Sequence, residues 1–367
     1  MFPETRYLRW ASRLYGQTRL DLASSGMQAA RWSDLGSPAV DVDDAGALTR
    51  LRRSVAAYND LPEAEVFPAL GTSHAIFLAY AALLSPGDEI LVETPGYEPL
   101  TRAAEGLGAV VRTFERAESK GFAVDPGQVA AAMGPRTRAV VVTNLHNPSG
   151  VRVPDATLRE LATVAAARGS YLVVDEVYAP FDALPEDGIF RGSARKLAPN
   201  VIALGSLTKA YGLGLYRLGW VAGPFEVIAR AENASIATMG HAGANHAAYG
   251  IAAFRAVGLL ARRAMRTLED KRLLAEHWAA SHPAVRWSAP KAGLYGLVTV
   301  PGAGDLTDRI ESHARATGVL VAAGSFFGAP ESFRLSWATT TTERFAEGLA
   351  ALTPLVVGAA NPPTRAA

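Results

Sequence analysis

The run Val201-Ile202-Ala203-Leu204-Gly205-Ser206-Leu207-Thr208-Lys209-Ala210-Tyr211-Gly212-Leu213-Gly214-Leu215-Tyr216-Arg217-Leu218-Gly219-Trp220-Val221 decides how the rest of the chain is read. Its first four residues form a short apolar strand, its glycines mark a loop, and Arg217 leads straight into a second apolar run. A lysine just past the end of a buried strand is unusual, because burial disfavours the ammonium and lowers its pKa. A neutral amine of that kind can attack an aldehyde and form a Schiff base. Taken alone, Lys209 reads more simply as a solvated loop lysine, so its surroundings have to decide.

Upstream, strands of the same type recur at 89–93, 110–114, 139–143 and 171–175. Helical stretches at 98–106, 126–133 and 154–168 alternate with them. Short, continuously apolar strands alternating with helices specify an α/β fold: a three-layer, mostly parallel sheet with helices on both faces. Asp43 and Asp44 open a helix carrying Leu48, Leu51, Val55 and Tyr58 at helical spacing. After Gly250 one long helical stretch, rich in alanine and arginine, runs to about residue 280. Strands at 285–288, 294–300, 319–321 and 333–337, with helices at 305–317 and 342–352, then predict a smaller α+β domain. Residues 45–280 thus form a large domain. Residues 1–44, read as an irregular arm, join 281–367 in the small one, and 358–367 fray at the end.

A chain of 367 residues exceeds the size at which a single core usually stops growing. Lys and Arg number 36 against 35 Asp and Glu, with no basic run, which argues against nucleic acid and against an anionic membrane as partners. The absence of cysteine excludes disulfides, thiolate metal sites and cysteine nucleophiles. The first residues lack the apolar core of a signal peptide, and the longest apolar run, 75–84, is too short for a bilayer. A cytoplasmic protein is the expectation, and no metal is called for.

In open α/β sheets, ligands gather at the carboxyl ends of the strands. Three strands here end in polar clusters: Asn144-Leu145-His146-Asn147-Pro148-Ser149-Gly150, Asp175-Glu176-Val177-Tyr178, and Gly205-Ser206-Leu207-Thr208-Lys209. Each alone has a plain reading as a turn, a cap or a loop. Their joint occurrence in this order, with Arg217 eight residues beyond Lys209 and Phe333-Arg334-Leu335-Ser336 near the end, resembles the class I/II aminotransferases, pyridoxal-phosphate enzymes of fold type I. The matching features run from about Gly71 to Trp337.

That resemblance implies pyridoxal 5′-phosphate as cofactor and assigns roles. Lys209 would form the Schiff base and then act as general base and acid. Asp175 would pair with the pyridine nitrogen, keeping it protonated so that the ring can accept electrons. Asn147 and Tyr178 would bond the phenolic oxygen, and Tyr97 would stack on the ring. Thr72 and Ser73, at a helix start, with Ser206 and Arg217, would hold the phosphate. Arg334 would clamp the substrate's α-carboxylate, and Ser25 and Gly26 lie near the substrate site. His146 and His241 are candidates to reach the pocket, each more simply read as a structural histidine. Amino-acid and 2-oxo-acid substrates and a homodimer are implied as well.

One departure stands out: the family's tyrosine before the first large-domain helix, which reaches the partner subunit's phosphate, is missing from Val40-Asp41-Val42-Asp43-Asp44-Ala45-Gly46. Transamination is the reaction expected. Elimination, replacement, cyclisation and decarboxylation use nearly the same residues and stay open. Two unrelated readings fail: Ser206-Leu207-Thr208-Lys209 also spells the S-x-x-K of penicillin-recognising hydrolases, but S-D-N and K-T-G are absent, and no G-x-G-x-x-G follows a strand. A regulator built on the same fold would need a DNA-binding extension, and residues 1–44 have no room for one.

Overall fold

The computed structural model describes residues 1–240 and 242–360. Seven strands form the central sheet in the order Val66–Leu70, Leu218–Ala222, Val201–Ser206, Tyr171–Asp175, Thr137–Thr143, Glu89–Thr94 and Val110–Glu115. Leu218–Ala222 runs antiparallel to both its neighbours, and the other adjacent pairs are parallel. The expected mostly parallel α/β sheet is therefore present.

Side-chain alternation sorts the strand residues onto two faces. Val141, Val173 and Ile202 pack with Ala75, Ile76, Leu100 and Val227 from helices Gly71–Leu83, Glu98–Gly106 and Phe225–Met239. Val140, Val142, Leu172 and Val174 pack on the opposite side with Val129, Leu158 and Leu161 from helices Pro126–Ala132 and Asp155–Ala166. Each such side chain contributes roughly 1.5–3 kcal/mol by leaving water, which is why the central strands are apolar throughout.

The C-terminal part forms a four-stranded antiparallel sheet in the order Ala322–Ala323, Ser332–Ser336, Tyr295–Thr299 and Arg286–Trp287. Helices Thr307–Thr317 and Thr342–Ala360 accompany it. The helix expected to stop at 352 continues to Ala360, so 358–360 are helical; residues 361–367 lie outside the described part.

Four expectations need correction. Residues 6–14, read as irregular, form a helix that buries Tyr7, Trp10 and Ala11. The strand Val66–Leu70 was not foreseen, because Pro68 argues against a strand; the sheet edge tolerates it. The long stretch after Gly250 is two helices, Ala244–Arg255 and Val257–Ala280, separated at Ala256. The strand expected at 319–321 divides: Val319–Leu320 pairs in parallel with Leu20–Asp21, whereas Ala322–Ala323 joins the four-stranded sheet. Among the described residues no helix is long and apolar enough to cross a membrane.

Candidate active site

Parallel pairing sets Thr143 beside Asp175 and Asp175 beside Leu204. The segments leaving these three strands therefore deliver Asn147, Tyr178 and Lys209 to one rim. Asp175 is buried, and a single backbone N–H, that of Val177 at 3.1 Å, donates to its carboxylate. Burial pushes its pKa up to about 7, with Glu93 adding to the rise, while the Val177 N–H and Lys209 oppose it. Lys209 is half-buried, and its Nζ donates to Ser25 Oγ at 3.3 Å; the Tyr178 hydroxyl donates to the same oxygen at 2.8 Å. The chain around Gly26 lies against the lysine stem: a Cβ at Gly26 would stand 3.7 Å from Lys209 Cδ, and Met27 N–H donates to the Lys209 carbonyl at 2.9 Å.

Burial, aided by the Arg334 charge, pulls the Lys209 pKa down to about 8, although Asp175 acts in the other direction. The neutral, nucleophilic amine therefore grows as pH rises through about 8. In cofactor-free protein we expect acetic anhydride to label Lys209 with a midpoint near that pH, read by peptide mass spectrometry. Lys271, also lowered to about 8 by burial but only 1% exposed, is the control that stays unlabelled. A Lys209 midpoint at the pH of the surface lysines would refute the shift.

Arg334, on the Ser332–Ser336 strand, is completely buried. It donates to Asn147 Oδ1 (2.6 Å), to the Tyr7 hydroxyl (2.6 Å) and to the Ala23 carbonyl (2.8 Å). Rings of Tyr7, Tyr295 and Phe327 surround its guanidinium at 5.5, 5.1 and 4.9 Å. Among the described residues none of its hydrogen-bond acceptors is a carboxylate, and its Nε–H has no partner. A buried cation served only by neutral groups suits an incoming anion.

Below this rim lies a sealed ion pair. Arg116 donates to Glu93 at 2.8 Å, with both side chains at 0% exposure. Glu93 also accepts the Thr143 N–H at 2.7 Å and the Thr143 hydroxyl, and Thr143 Oγ1 in turn accepts the Asn147 N–H at 3.0 Å. The pair thus braces the turn that carries Asn147. His146 is buried with one ring nitrogen on Ser149 Oγ (2.6 Å) and the other on the Pro95 carbonyl (2.8 Å), which makes it structural; His241 lies outside the described residues.

The four residues expected around a phosphate are placed unevenly. Thr72 and Ser73 occupy the first turn of helix Gly71–Leu83, Thr72 partly exposed and Ser73 exposed. Arg217 is exposed rather than drawn inward with the strand that follows it. It adopts a left-handed backbone (φ 51°) and reaches the Leu70 carbonyl at 3.3 Å. Gly71 has φ 78°, a left-handed conformation that favours glycine, and a Cβ there would stand 2.5 Å from Arg217 Nη2, so the guanidinium lies close against that helix start. The Ser206 hydroxyl is engaged within its own loop, with the Leu218 carbonyl at 2.8 Å and Thr208 Oγ1 at 2.6 Å. Tyr97 is half-buried just before helix Glu98–Gly106, its ring edge-on to Tyr7 at 6.2 Å.

Tyr7 escaped the sequence reading as a site residue, whereas Tyr295 ends the segment Lys291-Ala292-Gly293-Leu294-Tyr295, whose resemblance to a family segment implies a part in access and specificity. Tyr295 stands edge-on to Tyr178 at 5.0 Å, and its buried hydroxyl has no partner among the described residues. The available signal for Tyr7 was the 7, 10, 11 spacing of a helix with one apolar face.

Comparison with known proteins bears on this arrangement. Residues 41–352 match the profile of aminotransferase class I and II. This chain belongs to that family. The enzyme is 30% identical over 358 residues to capreomycidine synthase of Streptomyces vinaceus, covering 94% of this chain and 91% of that one. It is 32% identical over 298 residues to the aspartate/prephenate aminotransferase of Thermus thermophilus, covering 78% and 75%. The crystal structure of the PLP-dependent cyclase OrfR superposes with a TM-score of 0.82 at 26% identity, covering 97% of each chain. Fold type I and pyridoxal 5′-phosphate follow from this membership.

The residues present fit that cofactor. Asp175 is a buried acid short of donors, suited to a cationic ring nitrogen, and Lys209 is an amine with a lowered pKa. Gly71 and Arg217 flank a helix start, where free N–H groups favour an anion. The same burial is costly without the cofactor. Since the folded pKa of Asp175 lies above its unfolded value, ionisation weakens the apo-fold progressively as pH rises from about 4 to about 7. Asp175→Asn should therefore raise the Tm of cofactor-free protein at pH 7.5 by roughly a few degrees, while weakening cofactor binding. A lower Tm would contradict the assigned burden.

Proposed function

We propose that this enzyme is an aminotransferase moving the amino group of an α-amino acid to a 2-oxo acid. The observation that carries the reading is Arg334: a sealed guanidinium with neutral partners, joined through Asn147 to the rim that holds Asp175 and Lys209. When bound, pyridoxal 5′-phosphate supplies an aldehyde for an amine and a protonated ring that draws electrons from the substrate's α carbon. Lys209 would hold that aldehyde and then move a proton at the α carbon. Asp175 would keep a proton on the ring nitrogen. Asn147 and Tyr178 would hydrogen-bond the ring's phenolic oxygen, and Tyr97 would lie along its face. Thr72, Ser73, Ser206 and Arg217 would bind the phosphate, with Ser206 releasing a loop partner to do so. Arg334 would hold the substrate carboxylate, with Ser25 and Gly26 lining the wall near Lys209.

The same reading divides the chain into a cofactor-binding part, 45–280, and a small part, 1–44 with 281–367. It also includes a homodimer and a cytoplasmic location. A second reading, cyclisation or elimination on an amino acid, is favoured by the similarity to capreomycidine synthase and to OrfR. It is consistent with the missing tyrosine before helix Ala47–Asn59. The deciding experiment mixes purified enzyme with an amino-acid panel and one 2-oxo acid. Transfer converts the added oxo acid into its amino acid; ammonia release or a cyclic product instead would replace the transferase reading with the second one.

A further inference from the structure

Clamping a carboxylate takes two N–H groups on one edge of a guanidinium. The group offers two usable edges, Nε with Nη2 and Nη1 with Nη2, so Nη2 belongs to both. In Arg334 that nitrogen is fully committed, one hydrogen to the Tyr7 hydroxyl at 2.6 Å and the other to the Ala23 carbonyl at 2.8 Å. Nη1 gives one hydrogen to Asn147. What remains free, Nε–H and the second Nη1–H, does not share an edge.

One of the two acceptors on Nη2 must therefore yield before a carboxylate can be gripped. Ala23 is fixed: its own N–H and that of Ser24 donate to Asp21 Oδ1 at 2.8 and 2.9 Å. Tyr7 is the side chain able to turn away. Its hydroxyl lies 2.8 Å from that of Tyr15, which donates to the Ala23 carbonyl at 3.3 Å, so a closed ring of hydrogen bonds holds Tyr7 on the arginine. The backbone N–H of Tyr7 donates to Glu98 at 2.8 Å, anchoring the start of helix Arg6–Leu14.

We infer that the Tyr7 hydroxyl is a built-in competitor for the substrate's carboxylate at Arg334 Nη2, so that Tyr7 sets how tightly a carboxylate is held there. The inference rests on the reading that Arg334 receives a carboxylate. A full anion displaces a neutral hydroxyl from a buried cation, whereas a neutral amide gains nothing by the exchange.

The test uses holoenzyme and unreactive carboxylates (acetate, propionate and 3-phenylpropionate), with Kd measured by calorimetry. Tyr7→Phe should tighten carboxylate binding about 3–10-fold, the worth of one hydrogen bond. Tyr15→Phe, which loosens the same ring, should shift Kd the same way by less. Unchanged or weaker carboxylate binding in Tyr7→Phe overturns the inference, since a residue that merely positions Arg334 or helps to hold the carboxylate would give that result. If Arg334→Ala binds every carboxylate as the parent does, including not at all, the carboxylate reading itself fails, and this inference with it.

Discussion

Lys209→Ala should lower kcat by roughly ten-thousand-fold, because in the proposed reaction the same amine would serve as anchor and as proton carrier. The protein should still fold, since Lys209 is only half-buried and its side chain makes one long hydrogen bond to Ser25. Purified variant should lack the visible absorbance of enzyme-bound cofactor yet keep the far-ultraviolet circular dichroism and size-exclusion profile of the parent. Added methylamine should restore part of the rate if the missing element is the amine itself. A variant retaining both colour and turnover would mean that another lysine holds the cofactor, and the reading of the 201–221 stretch would fall.

Arg334→Ala should reduce kcat/KM for the amino acid by roughly a hundred- to a thousand-fold, the cost of deleting one partner of a buried, charge-assisted contact. Visible absorbance should persist, because among the described residues Arg334 makes no hydrogen bond to Lys209 or Asp175; its acceptors are Asn147, Tyr7 and Ala23. Arg334→Lys should recover little, since an ammonium cannot offer a planar fork. Its three present acceptors, Asn147, Tyr7 and Ala23, lose their donor as well, so thermal stability has to be measured beside the kinetics. Unaltered kcat/KM in a folded variant would leave the substrate carboxylate to some other cation.

The large sheet was legible because its strands are apolar on both faces and their polar ends are short and close to the strand. Asn147, Asp175 and Lys209 each stand within four residues of a strand's end, so strand position alone brought them to one rim. The Arg334 end of the site was less legible. Tyr7 meets Arg334 across 327 residues of chain, and nothing local to either announces the other. Helix Arg6–Leu14 went unread because the turn-like pieces that follow, such as Ser24-Ser25-Gly26, gave the whole arm an irregular look. Pro68 concealed a strand that the sheet edge accommodates. Arg217 was expected to follow its strand inward; instead Gly71 and a left-handed backbone keep it outside, against a helix start.

The dry ion pair of Arg116 with Glu93 has an implication for engineering. Deleting either member would strand a charge beneath the Asn147 turn, a loss of about 3–5 kcal/mol, so the floor of the site has little freedom to vary. The roof is different: the partly exposed Phe326 ring meets Tyr7 and Trp10 through ring contacts, which tolerate exchange of one aromatic for another. Libraries meant to broaden substrate range should vary Phe326 and leave the floor alone.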